Sequence, residues 1–140
     1  MVANPYEQAR WTAVEAADPL ELVLLLFTRA LECVSRARYA IAQGDIPGRT
    51  NAIQGAMDCM IELTHSLRRE QQPELVHRLL ELYSFVLDRL RDANFRQQSA
   101  PLDEAEPVLR TLLEAWVECR ARLQPAEPAP ETSSLVEACA

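Results

Sequence analysis

Two histidines and four cysteines are the side chains of this 140-residue chain best able to hold a metal or act as nucleophiles. His65 and His77 fall in different helical patterns, on their polar sides. Glu62-Leu63-Thr64-His65 has the Glu-x-x-His spacing by which helical bundles present ligands to a metal pair. It occurs once, and on a helical wheel both side chains point outward. These residues therefore read as solvated surface. Cys33, Cys59, Cys119 and Cys139 form no C-x-x-C pair. Three of them lie in helical patterns, where a thiol behaves as a small apolar side chain, and all four read as reduced. With only three glycines there is no phosphate-cradling loop. Carboxylates are abundant but spread along exposed faces. No catalytic, cofactor or metal site is expected, and the chain does not read as an enzyme.

Function must then come from surface, and so from the elements that shape it. The chain is 49% apolar without strand-like runs, and its formal net charge is -7. It reads as one all-α domain. The charge argues against nucleic acid and anionic membranes as partners. The longest apolar run, Leu22 to Phe27, is far short of the roughly 20 residues of a membrane span. The first ten residues lack the basic and apolar regions of a secretory signal, so a cytoplasmic location is expected.

Four helical stretches follow, at about 19–43, 46–70, 74–98 and 104–123. Asp18-Pro19 caps and starts the first. Leu20, Leu24, Phe27, Leu31, Val34 and Ile41 form one stripe, and Leu22, Leu26, Ala30, Cys33 and Ala37 a second beside it. Gly44 stops this helix, and Asp45 with Pro47 starts the next. There Ile53, Met57, Met60, Thr64 and Leu67 line the core face, with Gly55 on the polar side. In the third, Leu75, Leu79, Leu82, Tyr83, Val86, Leu90 and Ala93 share one face. Asn94 sits beside that face and Phe85 outside it. In the fourth, Leu109, Leu112, Trp116, Cys119 and Leu123 repeat at three and four. Pro107 places its regular part at Glu104 to Glu106 onward, or else distorts the first turn.

Helices of roughly 20–25 residues on short connections argue for an antiparallel up-down four-helix bundle over residues 18–123. Residues 1–17, with Tyr6 and Trp11, read as an N-terminal arm. Residues 124–140, QPAEPAPETSSLVEACA, read as a disordered acidic Pro-rich tail. A bundle needs about three core-facing apolar residues per heptad. The first and fourth helices carry more, and Leu25 and Phe85 stand off their stripes. The surplus either thickens the core and seats the arm, or forms grooves for a partner helix.

An ordered set of short motifs then resembles the FliS-type flagellar export chaperones of bacteria. Along the chain these are Asn4-Pro5-Tyr6, Pro19-Leu20-Glu21-Leu22 leading to Leu25-Leu26-Phe27, and Gly44-Asp45-Ile46. Then come Asn51, Glu62-Leu63 with Ser66-Leu67, Leu82-Tyr83, Arg89-Leu90 with Ala93-Asn94, and Leu112-Leu113 with Trp116. The likeness covers about Tyr6 to Leu123. Phe27-Thr28-Arg29 stands where the family usually has Tyr-Asp-Gly, Arg68 where helix 2 ends in Ser-Leu-Asp, and Gln72-Pro73 where it has Gly-Gly. The resemblance implies a cytoplasmic chaperone for the disordered C-terminal segment of flagellin, wrapped as helices around the bundle. It would block premature polymerisation and keep the subunit ready for export. Components of the flagellar export apparatus are candidate further partners. Tyr6 is expected to act from the arm as a mimic of the client. Leu25, Asn51, Tyr83, Phe85 and Asn94 are expected in the groove or its edges, with Tyr83 and Asn94 equally able to be interior residues. The rival reading is a helical scaffold that self-associates through its apolar stripe, and a homodimer stays open under either.

Overall fold

The computed structural model describes residues 18–67 and 72–123. The arm, the tail and residues 68–71 lie outside them. The described residues form four α-helices: α1 (Pro19–Gln43), α2 (Ile46–His65), α3 (Pro73–Arg96) and α4 (Ala100–Leu123). Packing joins α1 to α2, α2 to α3, α3 to α4 and α4 back to α1, an up-down four-helix bundle.

Local chemistry sets most of the helix ends. The Asp18 side chain accepts the Glu21 amide at 2.8 Å, ahead of Pro19 in the first turn. Gly44 closes α1 at φ 69°, its amide reaching the Ala40 and Ile41 carbonyls. Asp45 at once caps α2 through the Gly48 amide, at 3.0 Å. Gln72 and Gln97 flank α3 in the left-handed region, at φ 48° and 57°. Glycine would be easier at both, so each costs about 1 kcal/mol.

Two ends differ from the periodicity. α2 stops at His65 rather than near Glu70. The Leu67 amide turns back to the Thr64 carbonyl and Ser66 Oγ donates to the Leu63 carbonyl, which swings Leu67 into the core. α4 begins at Ala100, ahead of the expected Glu104 to Glu106. Pro101 sits in its opening turn, where the ring suits the helix, and the Ser99 carbonyl accepts the Leu102 and Asp103 amides. Pro107 is carried inside the helix on its exposed side, away from any neighbour its ring could displace.

The core is centred on Trp116, Tyr83 and Phe27, each no more than 1% exposed. The Phe27 and Tyr83 rings meet edge-to-face, centroids 6.0 Å apart, across the middle of the bundle. On α3 the buried arc runs through Val76, Leu79, Tyr83, Val86, Leu90 and Ala93. Leu82, expected on that arc, is 40% exposed, and Val76 takes the interior place instead. Met57 and Thr64 of α2 and Leu123 of α4 are likewise only partly covered, while Ala52, Ala56 and Cys59 are buried.

Polar contacts link the helices near their ends. Arg38 near the end of α1 donates to Asp103 at 2.9 Å and Glu106 at 2.7 Å near the start of α4. Arg89 of α3 reaches Glu104 of α4 at 3.1 Å. These bonds confirm that α1 and α4 run antiparallel, as do α3 and α4. Arg110 and then Arg38 hold the Glu106 carboxyl below the usual carboxylate range.

Two expectations follow. An internal proline forfeits a helix hydrogen bond, and Pro107 has no compensating burial. Pro107→Ala should stabilise the chain by about 1–3 kcal/mol in urea unfolding; a loss of stability would show that the ring is needed. Glu106 binds its proton less readily folded than unfolded, so its contribution is full above about pH 4.3 and is lost as pH falls through the lower folded value. Glu106→Gln should cost about 1 kcal/mol at neutral pH, and the gap to the parent should narrow as pH falls below the ordinary carboxylate range. A gap that does not narrow would contradict the assignment.

Candidate functional site

The outer seam between α1 and α2 is built from an absence. Gly55 lies where a Cβ would stand 2.9 Å from Cys33 Sγ on the facing helix. That is closer than real Cβ atoms come, so glycine leaves room for the Cys33 thiol against α2. The sequence placed Gly55 on a polar face with no packing reason; the reason is this neighbour. Above the small residues runs an open groove of about 320 Å³, walled by Arg29, Arg36 and Tyr39 of α1 and by Asn51 and Gly55 of α2. Tyr39 is 69% exposed. Burial pushes the Cys33 thiol at the groove floor above its ordinary value; Arg29 and Arg36 pull against that shift, and the more weakly felt Glu32 and Asp58 add to it. Burial likewise raises the Cys119 thiol in the core.

A second apolar strip lies along α3. Leu82 and Phe85 are exposed on the side of that helix nearer α4, the side from which Arg89 reaches Glu104. The Arg89 guanidinium lies over the Phe85 ring, 5.9 Å from its centroid. Arg89 is itself tied to Asp92 and Glu104, so the ring has an ordered cation beside it.

The expected site residues do not converge. Tyr6 lies outside the described residues. Leu25 is 51% exposed on the outer side of α1, and Asn51 is exposed in the α1–α2 groove. Phe85 belongs to the α3 strip, so it and Leu25 stand on diagonally opposed helices. Tyr83 is an interior residue against Phe27. Asn94 is half-buried and accepts a hydrogen bond from Arg49 Nε at 3.0 Å. Arg49, near the start of α2, is the buried charged side chain among the described residues. Periodicity had no means of finding it, because an arginine one turn past a helix cap ordinarily faces water.

Among the described residues no group of three or more His, Cys, Asp or Glu is placed to hold a metal ion. Glu62 and His65 are both exposed. No helix among them is long and apolar enough to cross a membrane. What the surface offers is contact: one groove with arginines on its wall and one apolar strip, on a closed core.

The family model described as "Flagellar protein FliS" matches residues 2–123, the whole bundle and nearly all of the segment before it. The chain belongs to the FliS family. The flagellar secretion chaperone FliS of Salmonella typhimurium is 33% identical over 106 residues, covering 75% of this chain and 78% of its own length. The proteins of the same name from Campylobacter jejuni and Bacillus subtilis are 32% and 28% identical over 115 residues, covering 82% of this chain and 88% and 85% of theirs. The matched region stops at Leu123, where α4 ends. Within the FliS family setting, Arg29 and Gln72 mark two of the departures noted in the sequence. Arg29 forms part of the groove wall, and Gln72 takes the left-handed backbone for which glycine is suited.

The close approach at Gly55 is testable by a double-mutant cycle. Gly55→Ala gains up to about 1 kcal/mol of helix propensity but meets Cys33 Sγ, for a net loss of about 1 kcal/mol. In a Cys33→Ala background the same change should be neutral or stabilising, a coupling of at least about 1 kcal/mol. Equal effects in both backgrounds would mean that the helices are not held at this distance.

Proposed function

We propose that this chain is a cytoplasmic export chaperone that binds the C-terminal segment of a flagellin and acts by binding alone. The segment is disordered when free, and the bundle gives it a surface on which to fold as helices. Capture withholds it from polymerisation until export. The relatives' name, flagellar secretion chaperone, supports the class of partner. The observation that carries the reading is the pair Leu25 and Phe85, large apolar side chains left outside a closed core on opposed helices. One partner that covers both has to pass around the bundle, as a long flexible segment does and a compact domain does not. A long path also suits the energetics, since ordering a disordered segment costs several kcal/mol that only an extended interface offsets. The N-terminal arm, with Tyr6, is the competitor for this surface when no client is present. Components of the export apparatus are further partners in the same reading.

The test is direct mixing of the purified chain with the C-terminal segment of the flagellin from the same organism. Submicromolar binding with a gain of helical circular dichroism is expected. Leu25→Ala and Phe85→Ala should each weaken it by roughly 5–30-fold, about 1–2 kcal/mol, with unfolding midpoints little changed. No binding, together with a stable homodimer dissociated by Phe85→Ala, would favour self-association through the apolar strip instead.

A further inference from the structure

The α1–α2 groove sets positive charge into an acidic protein. Arg29 and Arg36 stand in its wall, and Arg36 has no ion-pair partner among the described residues. The carboxylate at its end, Asp45, is engaged with the Gly48 amide as the α2 cap. The walls also carry apolar surface at Tyr39 and Ala52. The groove therefore suits an acidic segment with a few apolar side chains.

Residues 124–140 have that chemistry. They carry Glu127, Glu131 and Glu137 and no Lys, Arg or His, with Leu135-Val136 between the last two glutamates. Residues 1–17 suit the groove less, because Arg10 offsets one of Glu7 and Glu15. Reach favours the tail as well. Arg38 near the end of α1 pairs with Asp103 and Glu106 near the start of α4, so the end of α4 at Leu123 lies level with the start of α1. From that level Arg29 is about 14 Å and Tyr39 about 29 Å along α1 at 1.5 Å per residue. Seventeen extended residues span up to about 56–61 Å, enough to cross the outer side of α1 and run the length of the groove.

We infer that the acidic segment 124–140 docks in the α1–α2 groove of its own chain, its glutamates against Arg29 and Arg36 and Leu135-Val136 against the apolar wall. Tethering keeps the local concentration of the segment high, so weak surface ion pairs are enough for partial occupancy. The contact is screened by salt. It also joins an arginine that stands where the resemblance expects glycine to a segment that lies beyond the region the family model matches. The docking involves no client, so it stands or falls apart from the flagellin reading.

The experiment uses the full chain with a nitroxide on Cys139, the labelled position verified by peptide mass. Cys33, Cys59 and Cys119 are buried and disfavoured for labelling. Paramagnetic broadening of backbone amide signals is expected at Arg36, Tyr39 and Asn51 and not at Leu82 or Phe85. It should fall at least twofold at high salt and in the Glu127→Gln/Glu131→Gln/Glu137→Gln chain, whose circular dichroism should match the parent. Arg36→Glu should reduce it, and Glu131→Lys in that background should restore it. Broadening elsewhere, broadening nowhere, or broadening only between labelled and unlabelled copies in a mixture would each overturn the inference.

Discussion

The contact between α1 and α2 at Gly55 governs much of this molecule. No side chain stands between that backbone and Cys33 Sγ, so the thiol seats directly against α2 where a Cβ would meet it at 2.9 Å. Ala37, Ala40, Ala52 and Ala56, all buried, suit the same close pairing. One consequence is a stiff pair on which α3 and α4 complete the core. The other is a surface groove with a shallow floor of small residues and walls of long ones. Gly55 belongs to both: it admits the Cys33 thiol on its inner side and lines the groove on its outer side.

The remaining helices are linked by polar bonds near the bundle ends. Arg49 to Asn94 fixes α3 against α2, Arg38 to Glu106 fixes α4 against α1, and Arg89 to Glu104 joins α3 and α4. The part-buried Arg38–Glu106 pair and the exposed Arg89–Glu104 pair add little net stability, since solvated ion pairs contribute at most about 1 kcal/mol. Burial of Val76, Leu79, Tyr83, Val86 and Leu90 fixes the rotation of α3, and Leu82 and Phe85 are left on the surface as a result.

Much of the architecture was legible in the chain. Asp18-Pro19, Gly44-Asp45 and Pro73 are punctuation whose mechanism is local, and the structure ends its helices there. Trp116, Leu109, Leu112 and Cys119 were placed by spacing alone and are buried. What spacing could not supply depends on neighbours. Gly55 acquires its role from Cys33, twenty-two residues away. Asn94 acquires its role from Arg49, and a lone wheel treats both as ambiguous. The exchange of Leu82 for Val76 is a small rotation that only packing decides. Pro107 points to a later start for α4 than Pro101 does, and the helix begins at Ala100 because the bundle bears the cost of an internal proline. Of the expected contact residues, Leu25, Asn51 and Phe85 stand exposed, while Tyr83 supports the core.

A FliS-family bundle with a closed core and an exposed apolar strip is suited to holding a segment that cannot hold itself. That assigns the driving force to apolar burial coupled to folding, which carries a large negative heat-capacity change. Titration calorimetry of the full chain with the flagellin C-terminal segment, repeated from about 10 to 35 °C, reads it directly. The binding enthalpy should fall steadily with temperature, on the order of several hundred cal/mol/K for an interface of more than about 1,000 Å². Measurable binding with an enthalpy independent of temperature would mean that polar contacts carry the complex, and would contradict a chaperone built on apolar surface.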